Sequence, residues 1–391
     1  MILRRTVLCL GLAQLIAWGI SYYLIGGFGE MIAADLGWSR DLVYGGFALA
    51  LLVMGLTSPL AGRLIDRHGG RNVMIAGALL NAAGCITLAL CHSLPVYYAA
   101  WICLGVAMRL TLYDAAFAAL ARIGGPEARR PIAQITLLGG LASTTFWPVG
   151  HFLADHFGWR GALLAYAGFA LLTVPLHLAI PNGRYEDLAP REAVQKHRPL
   201  AASGRDLVLA GGLYAVITTL TNFLNAGMSA HMIAILTGLG VAASTAVWIA
   251  TLRGVGQSSA RLCEVLFGRR LHPLTLNLLA SMLLPFAFIA GLYGGEFGAA
   301  AIAFAFLYGA SNGIVTITRG TLPLVLFDHR TYGAFVGRLL APSFVLSATA
   351  PLIYAVVIDR FGQAGALYLS IAVAAVTLTA AVLLKSLFTR P

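Results

Sequence analysis

Five charged side chains sit inside long apolar runs of this chain: Arg109, Asp114, Arg253, Arg319 and Arg338. A charge at the centre of a bilayer costs at least about 3 kcal/mol on insertion scales, so each needs a partner or water. A guanidinium presents a planar fork of donors that matches a carboxylate. Arg109, Arg253 and Arg319 outnumber the one intramembrane acid, Asp114, so an anionic ligand would complete the charge balance. The competing reading is that each charge bridges to another helix and only holds the fold together. Asp114 is placed either to take up and release a coupling proton or to pair permanently with Arg319 or Arg253. Arg338 lies within about two helical turns of Arg330 and can snorkel to the surface, which makes it structural or part of a gate.

Spacing refines these candidates. Arg109 and Asp114 are five apart and fall about 140° from each other on an ideal helix, which predicts that they do not form a same-face pair. Tyr113, four on from Arg109, shares its face. Gln14, Trp18 and Tyr22 step by four along one face, with Tyr23 beside them. A later apolar run carries Asn222, Asn225, Ser229 and His231. Polar groups at such depth either bond helix to helix or line a cavity. The candidate substrate set is therefore Arg109, Arg253, Arg319, Tyr22, Tyr113, Asn222 and Asn225, with Asp114 for proton coupling.

The elements that must hold these residues are membrane helices. Of 391 residues, 59% are hydrophobic and only 10% charged, against about 25% charged in soluble domains. The length accommodates about twelve spans of roughly 20 residues. The first half reads Thr6–Met31, Leu42–Ala61, Val73–Cys91, Val96–Leu120, Ile132–Ala154 and Gly161–Ile180. The second reads Leu207–Leu236, Ala242–Cys263, Leu274–Leu292, Ala299–Leu322, Ala334–Ile358 and Gly365–Leu387. This gives an N-terminal half over 1–180, a polar linker over 181–205 and a C-terminal half over 206–391. The expectation is an all-α membrane protein of twelve transmembrane helices in two six-helix halves.

The net charge is +11. The Lys and Arg residues concentrate in alternate loops and at the termini, whereas the opposite loops hold only Arg40, Arg160 and Arg360. That asymmetry predicts both termini in the cytoplasm and a bacterial-type inner membrane location. It explains the basic balance without nucleic acid, and no basic run with interleaved aromatics is present. Arg4 and Arg5 before an apolar stretch mimic a signal peptide, but the stretch runs through Ile25 without a clear cleavage site and reads as a first helix. Cys9, Cys85, Cys91, Cys103 and Cys263 have no metal or disulfide spacing and read as packing residues. His151-x-x-x-Asp155-His156 has one-face metal spacing but no second cluster to complete a shell, so no metal and no cofactor is expected.

Two segments are duplicated between the halves. Arg63-Leu64-x-Asp66-x-x-x-Gly70-Arg71 corresponds to Arg261-Leu262-x-Glu264-x-x-x-Gly268-Arg269. Asp155-His156-Phe157-Gly158 with Gly161-Ala162-Leu163 corresponds to Asp359-Arg360-Phe361-Gly362 with Gly365-Ala366-Leu367. Internal repeats of this kind build carriers whose halves move about a midplane site. The run Gly62-Arg63-Leu64-Ile65-Asp66-Arg67-His68-Gly69-Gly70-Arg71 resembles the signature between the second and third helices of the major facilitator superfamily, and the resemblance covers essentially the whole chain.

The resemblance implies a gate. Gly62 lets the end of the second helix approach a neighbour closely. Asp66 caps the positive N-terminal end of the eleventh helix, while Arg63, Arg67 and Arg71 brace the contact. The contact forms when the cytoplasmic side is closed. Arg261, Glu264, Gly268 and Arg269 form a second, weaker latch. Leu36-Gly37-Trp38-Ser39-Arg40 resembles bacterial monocarboxylate and oxalate/formate-type carriers, which hold their eighth-helix arginine one turn nearer the cytoplasmic turn than Arg253. Pro148 and Gly150 match only part of the fifth-helix antiporter signature, because Trp147 stands where that signature has glycine.

The function expected is secondary active transport of a small organic anion, monocarboxylate-like, with a proton, by a monomer in the lipid bilayer. The alternative within the class is a drug or metabolite exporter, for which a larger, more aromatic cavity is expected. Outside the class stand an intramembrane enzyme and a non-transporting sensor. No nucleotide-binding glycine loop and no nucleophile–base arrangement is legible, so the chain is not read as an enzyme.

Overall fold

The computed structural model describes residues 2–185, 199–201, 204–268 and 271–389. Among them there are helices and turns but no strands. In lipid a backbone must bond to itself, and the helix does so within one segment. The helices are α1 Arg4–Ala17, a π-helical turn Trp18–Tyr22, α2 Leu24–Leu36, α3 Arg40–His68, α4 Gly70–Ala89, α5 Leu94–Thr111, α6 Tyr113–Gly124, α7 Arg129–Gly139 and α8 Ala142–Leu178. After the linker region follow α9 Gly204–Gly238, α10 Ala243–Phe267, α11 Pro273–Leu292, α12 Gly298–Leu326 and α13 Tyr332–Phe388.

Eight helical stretches among the described residues are long and apolar enough to cross a membrane, and two of them, Leu94–Leu178 and His329–Phe388, are 85 and 60 residues long. At about 20 residues per pass these two hold several passes. A single glycine interrupts the last helix of each. Gly158 in α8 has φ 68° and Gly362 in α13 has φ 70°, a left-handed conformation that side chains disfavour. Each copy of the second duplicated segment therefore contains a one-residue break where the sequence reading expected a loop.

The chain packs as two units. The first comprises Met1–Arg198 with Asp328–Ala341, the second Pro199–Phe327 with Pro342–Pro391. The start of α13 thus belongs with the first unit. Most of the expected linker, residues 186–198 and 202–203, lies outside the described residues, as do Arg269 and Arg270. Two described residues of the linker, Tyr185 and Ala201, are buried. The Tyr185 ring lies 5.5 Å from that of His329. The Leu200 and Ala201 amides donate to the carbonyls of Val325 and Leu326 at 3.0 and 2.9 Å.

In the second unit Phe288, Phe304, Tyr308 and Tyr354 form the aromatic centre of the core. Small residues bring α10 and α12 into contact. A Cβ built on Gly309 would lie 2.0 Å from the Arg253 carbonyl oxygen, and one on Gly313 2.5 Å from that of Gln257. Gly309-x-x-x-Gly313 is a close-packing spacing for membrane helices. Gly309→Ala must force the two helices apart, an overpacking cost of about 1–3 kcal/mol. The expected outcome is a lowered melting temperature and poorer recovery of monodisperse protein on size exclusion. Gly254→Ala serves as the control, since its Cβ would meet nothing within 4 Å.

Candidate functional site

Two of the interruptions of helical period in the first unit fall at candidate residues. Between α5 and α6, Leu112 is extended at φ −76°, ψ −174°. The Ala115 amide donates to the Leu112 carbonyl at 3.0 Å, which releases the Thr111 carbonyl from its usual helical partner. That carbonyl instead accepts the Gln14 Nε2 amide at 2.7 Å. A freed backbone group in a membrane interior must find such a partner, and Gln14, fully buried on helix one, supplies it.

The break changes the angular bookkeeping. Arg109 Nη1 and Asp114 Oδ2 form an ion pair at 2.9 Å, with side chains 5% and 10% exposed. The sequence expectation that these residues cannot pair on one face is therefore wrong, because the 100° step is reset at Leu112. Asp114's partner is Arg109, where the sequence had offered Arg319 or Arg253. The Tyr113 hydroxyl donates to the Thr136 carbonyl at 3.1 Å, and its ring packs 4.9 Å from Trp18 and stacks 5.5 Å from Phe117.

The second interruption is the π-turn. The Tyr23 amide donates to the Trp18 carbonyl at 3.1 Å, an i+5 bond that widens the turn. Trp18 therefore meets both Tyr22 and Tyr23, at ring distances of 4.9 and 6.1 Å. Such bulges recur at functional sites. Tyr22 also packs edge-on against Phe47, and Tyr23 against Trp147.

In the second unit Arg253 lies among neutral groups. Its Nη2 donates to Asn225 Oδ1 at 2.5 Å and its Nη1 to Ser229 Oγ at 3.0 Å. Its guanidinium carbon stands 5.2 Å from the Tyr308 ring centroid. Asn312 Nδ2 donates to the same Asn225 oxygen at 3.0 Å. Among the described residues no carboxylate is within ion-pair distance of Arg253. Arg319 Nη1 donates to Asn222 Oδ1 at 3.4 Å and stands 5.6 Å from the Phe344 ring. Asn222 Nδ2 donates onward to Ser343 Oγ at 3.1 Å. Arg253, Asn225, Asn222 and Arg319 are thus gathered in one polar region built from α9, α10, α12 and α13. Asn312 and Tyr308 were missed from sequence, although both flank the Gly309 spacing that brings α12 against Arg253.

The signature segment caps a helix. The Gly333 and Ala334 amides, in the first turn of α13, donate to Asp66 Oδ1 and Oδ2 at 3.0 and 2.7 Å. A carboxylate there satisfies two orphan amides and faces the positive end of the helix. Gly62 makes room, since its Cβ would lie 1.8 Å from the Gly333 carbonyl oxygen. One turn earlier Ser58 Oγ donates to the Gly337 carbonyl at 2.6 Å.

The cations at this contact differ from those expected. Arg122 and Arg184 both donate to the Asp66 carbonyl. Arg71 reaches the Ile180 carbonyl at 2.6 Å, Arg63 lies back on Pro59 of its own helix at 3.4 Å, and Arg67 is exposed. Gly70 packs against Ala119, 2.2 Å from a built Cβ. In the second copy Arg261 and Glu264 are buried, and Arg261 donates to Thr316 Oγ1 at 3.2 Å. Gly268 ends that helix beside Glu264, and Arg269 lies outside the described residues. Among the described residues no group of three or more possible metal ligands occurs.

With this geometry in place, comparison with known proteins is decisive for the family. Residues 10–338 match the Major Facilitator Superfamily profile. The chain belongs to that superfamily, and its multi-pass helical fold is that of the superfamily's membrane transporters. Monocarboxylate transporter 1 of Mus musculus is 29% identical over 197 residues, 47% of this chain and 39% of that transporter. Monocarboxylate transporter 4 of Mus musculus is 24% identical over 320 residues, 78% of this chain and 66% of that transporter. The chain thus spans well under half of the first relative's length. Among solved structures, the proton:xylose symporter XylE aligns with a TM-score of 0.76 at 14% identity, covering 98% of this chain and 95% of that one. The human organic anion transporter MFSD10 (TETRAN) aligns with 0.70 at 18% identity, covering 97% and 99%.

The ion pair generates a double-mutant test. Arg109→Gln leaves Asp114 buried without its cation, which costs about 3–5 kcal/mol for a broken buried pair. Expression and melting temperature should fall sharply. Adding Asp114→Asn should restore most of the loss, read as a coupling term in a double-mutant cycle.

Proposed function

We propose that this transporter moves a small organic anion, a monocarboxylate, together with a proton by alternating access. The observation that carries the reading is the contrast between the two deep arginines. Arg109 is neutralised by Asp114 at 2.9 Å, whereas among the described residues Arg253 is held by Asn225, Ser229 and the Tyr308 face. A membrane cation held by neutral groups retains its charge for a ligand, and its fork suits a carboxylate. The monocarboxylate and organic anion transporters among the similar proteins support the same substrate class. Asp114 is the group we assign to proton coupling: protonation would release Arg109 from its partner, linking proton uptake to a change of charge in the first unit. Asp66 at the start of α13 is the latch we assign to the cytoplasmic gate. The charge asymmetry of the loops supports a plasma-membrane location with both termini in the cytoplasm.

Uptake of labelled monocarboxylates into proteoliposomes, with and without an inward proton gradient, tests the whole reading. Arg253→Gln should weaken binding of a transported acid by about 1.5–3 kcal/mol, the range for hydrogen bonds to charged groups. Arg253→Lys should recover part of it, having charge but no fork. Wild-type affinity in a well-folded Arg253→Gln protein would rule out Arg253 as the anion site.

The latch has its own test. Asp66→Asn removes a charge–dipole contact worth about 0.3–1 kcal/mol when exposed and up to about 2 when partly buried. Transport should fall while substrate binding persists. Spin-label distances across the two membrane faces should show the inward-open population rising several-fold. An unchanged population would remove the gate assignment.

A further inference from the structure

Within the second unit, the hydrogen bonds around Arg253 fix which way two asparagine amides face. A guanidinium carries donors and no acceptor. Arg253 Nη2 meets the Asn225 amide at 2.5 Å, so Asn225 must turn its Oδ1 to the arginine. Asn312 approaches that same oxygen at 3.0 Å, so it must present its Nδ2. Two atoms are left over: Asn225 Nδ2, a donor, and Asn312 Oδ1, an acceptor. Among the described residues neither atom has a hydrogen-bond partner, and neither is sealed from solvent. Both side chains are half-buried. The Ser229 hydroxyl beside them has its one proton committed. It donates to the Asn225 carbonyl at 2.6 Å and accepts from Arg253 Nη1 at 3.0 Å. The open donor and the open acceptor therefore stand next to the guanidinium, on α9 and α12, with no group of the site to answer them.

We infer that Asn225 and Asn312 read the substituent on the carbon next to the ligand's carboxylate, and that Asn312 is the residue that selects a hydroxyl there. The inference rests on the preceding reading of Arg253 as the anion site. The open nitrogen belongs to the same amide whose oxygen Arg253 holds, so an acid gripped by the fork brings its second carbon, and not its far end, to the pair. A hydroxyl answers both atoms at once, accepting from Asn225 Nδ2 and donating to Asn312 Oδ1. A keto oxygen answers only the first and sets its lone pairs against the Asn312 oxygen. A hydrogen answers neither, and leaves two amide atoms unpaired once water is displaced. A protonated amine meets the Asn225 donor and the arginine with like polarity.

The test uses the full-length protein in lipid nanodiscs and titration calorimetry with a matched series: butyrate, 2-oxobutyrate and each enantiomer of 2-hydroxybutyrate. The better enantiomer of the hydroxy acid should bind roughly ten-fold more tightly than butyrate, the order expected for two neutral hydrogen bonds. The keto acid should stay with butyrate. Asn312→Ala should bring the hydroxy-to-butyrate ratio close to unity, and Asn312→Gln, which keeps the amide, should retain part of it. A merely structural role for Asn312 would weaken every acid together and leave the ratio where it was. Melting curves verify that the variants fold, and the wild-type ratio decides on its own if the alanine protein is not recovered. Equal affinities across the series in the wild type would overturn the inference. So would a hydroxyl preference that survives Asn312→Ala in folded protein. Arg253→Gln separates the two readings, because it should weaken every acid in the series. If Arg253→Gln binds them all as the wild type does, the anion reading falls and takes this inference with it. If Arg253→Gln weakens them all while the wild type shows no hydroxyl preference, only this inference falls.

Discussion

A membrane interior offers no water to take up an unpaired polar group, and that constraint organises both units. At two places where the main chain leaves the regular helix, a side chain completes the bonding. Gln14 takes the carbonyl released at Leu112, and Asp66 takes two amides at the start of α13. These side chains do more than fill valences. Each one fixes a break in a helix, and each break re-aims residues that a straight helix would have pointed elsewhere.

The re-aiming separates the two deep arginines by chemistry. At Leu112 it brings Arg109 onto Asp114, five residues on, and makes a nearly neutral pair. In α10 no such break occurs near Arg253, and its neighbours on α9 and α12 are amides, a hydroxyl and a phenol ring. The same residue type therefore has two electrostatic meanings in one chain. Neutral acceptors orient the Arg253 fork without cancelling its charge, which suits a site that must bind an anion and let it go.

Small residues decide how closely the helices can carry these groups. Gly309 and Gly313 seat α12 on the backbone of Arg253 and Gln257, and Gly62 seats α3 on Gly333. With lipid as apolar as any side chain, close backbone packing and interhelical hydrogen bonds are what hold such pairs. The capped helix start at Gly333 belongs to the first unit, while α13 runs on past Ala341 into residues of the second.

The sequence by itself determined the class. Apolar runs of membrane length, the duplicated charged turn and the signature from Gly62 to Arg71 sufficed for a helical carrier, because hydropathy and glycine placement are local properties. It also marked the residues that matter, since a charge in an apolar run is conspicuous wherever it points. Only the tertiary structure decided the pairings. The 140° separation of Arg109 and Asp114 was correct for an unbroken helix and wrong here, because the break at Leu112 carries no Gly or Pro to announce it and is stabilised by Gln14, nearly a hundred residues away. The cations at Asp66 were likewise unreadable, since Arg122 comes from the last turn of α6 and Arg184 from the start of the linker, while Arg63 and Arg71 turn to carbonyls nearer them. Helical period predicts neighbours only as far as the period lasts, and in this protein it is interrupted where the candidate chemistry lies.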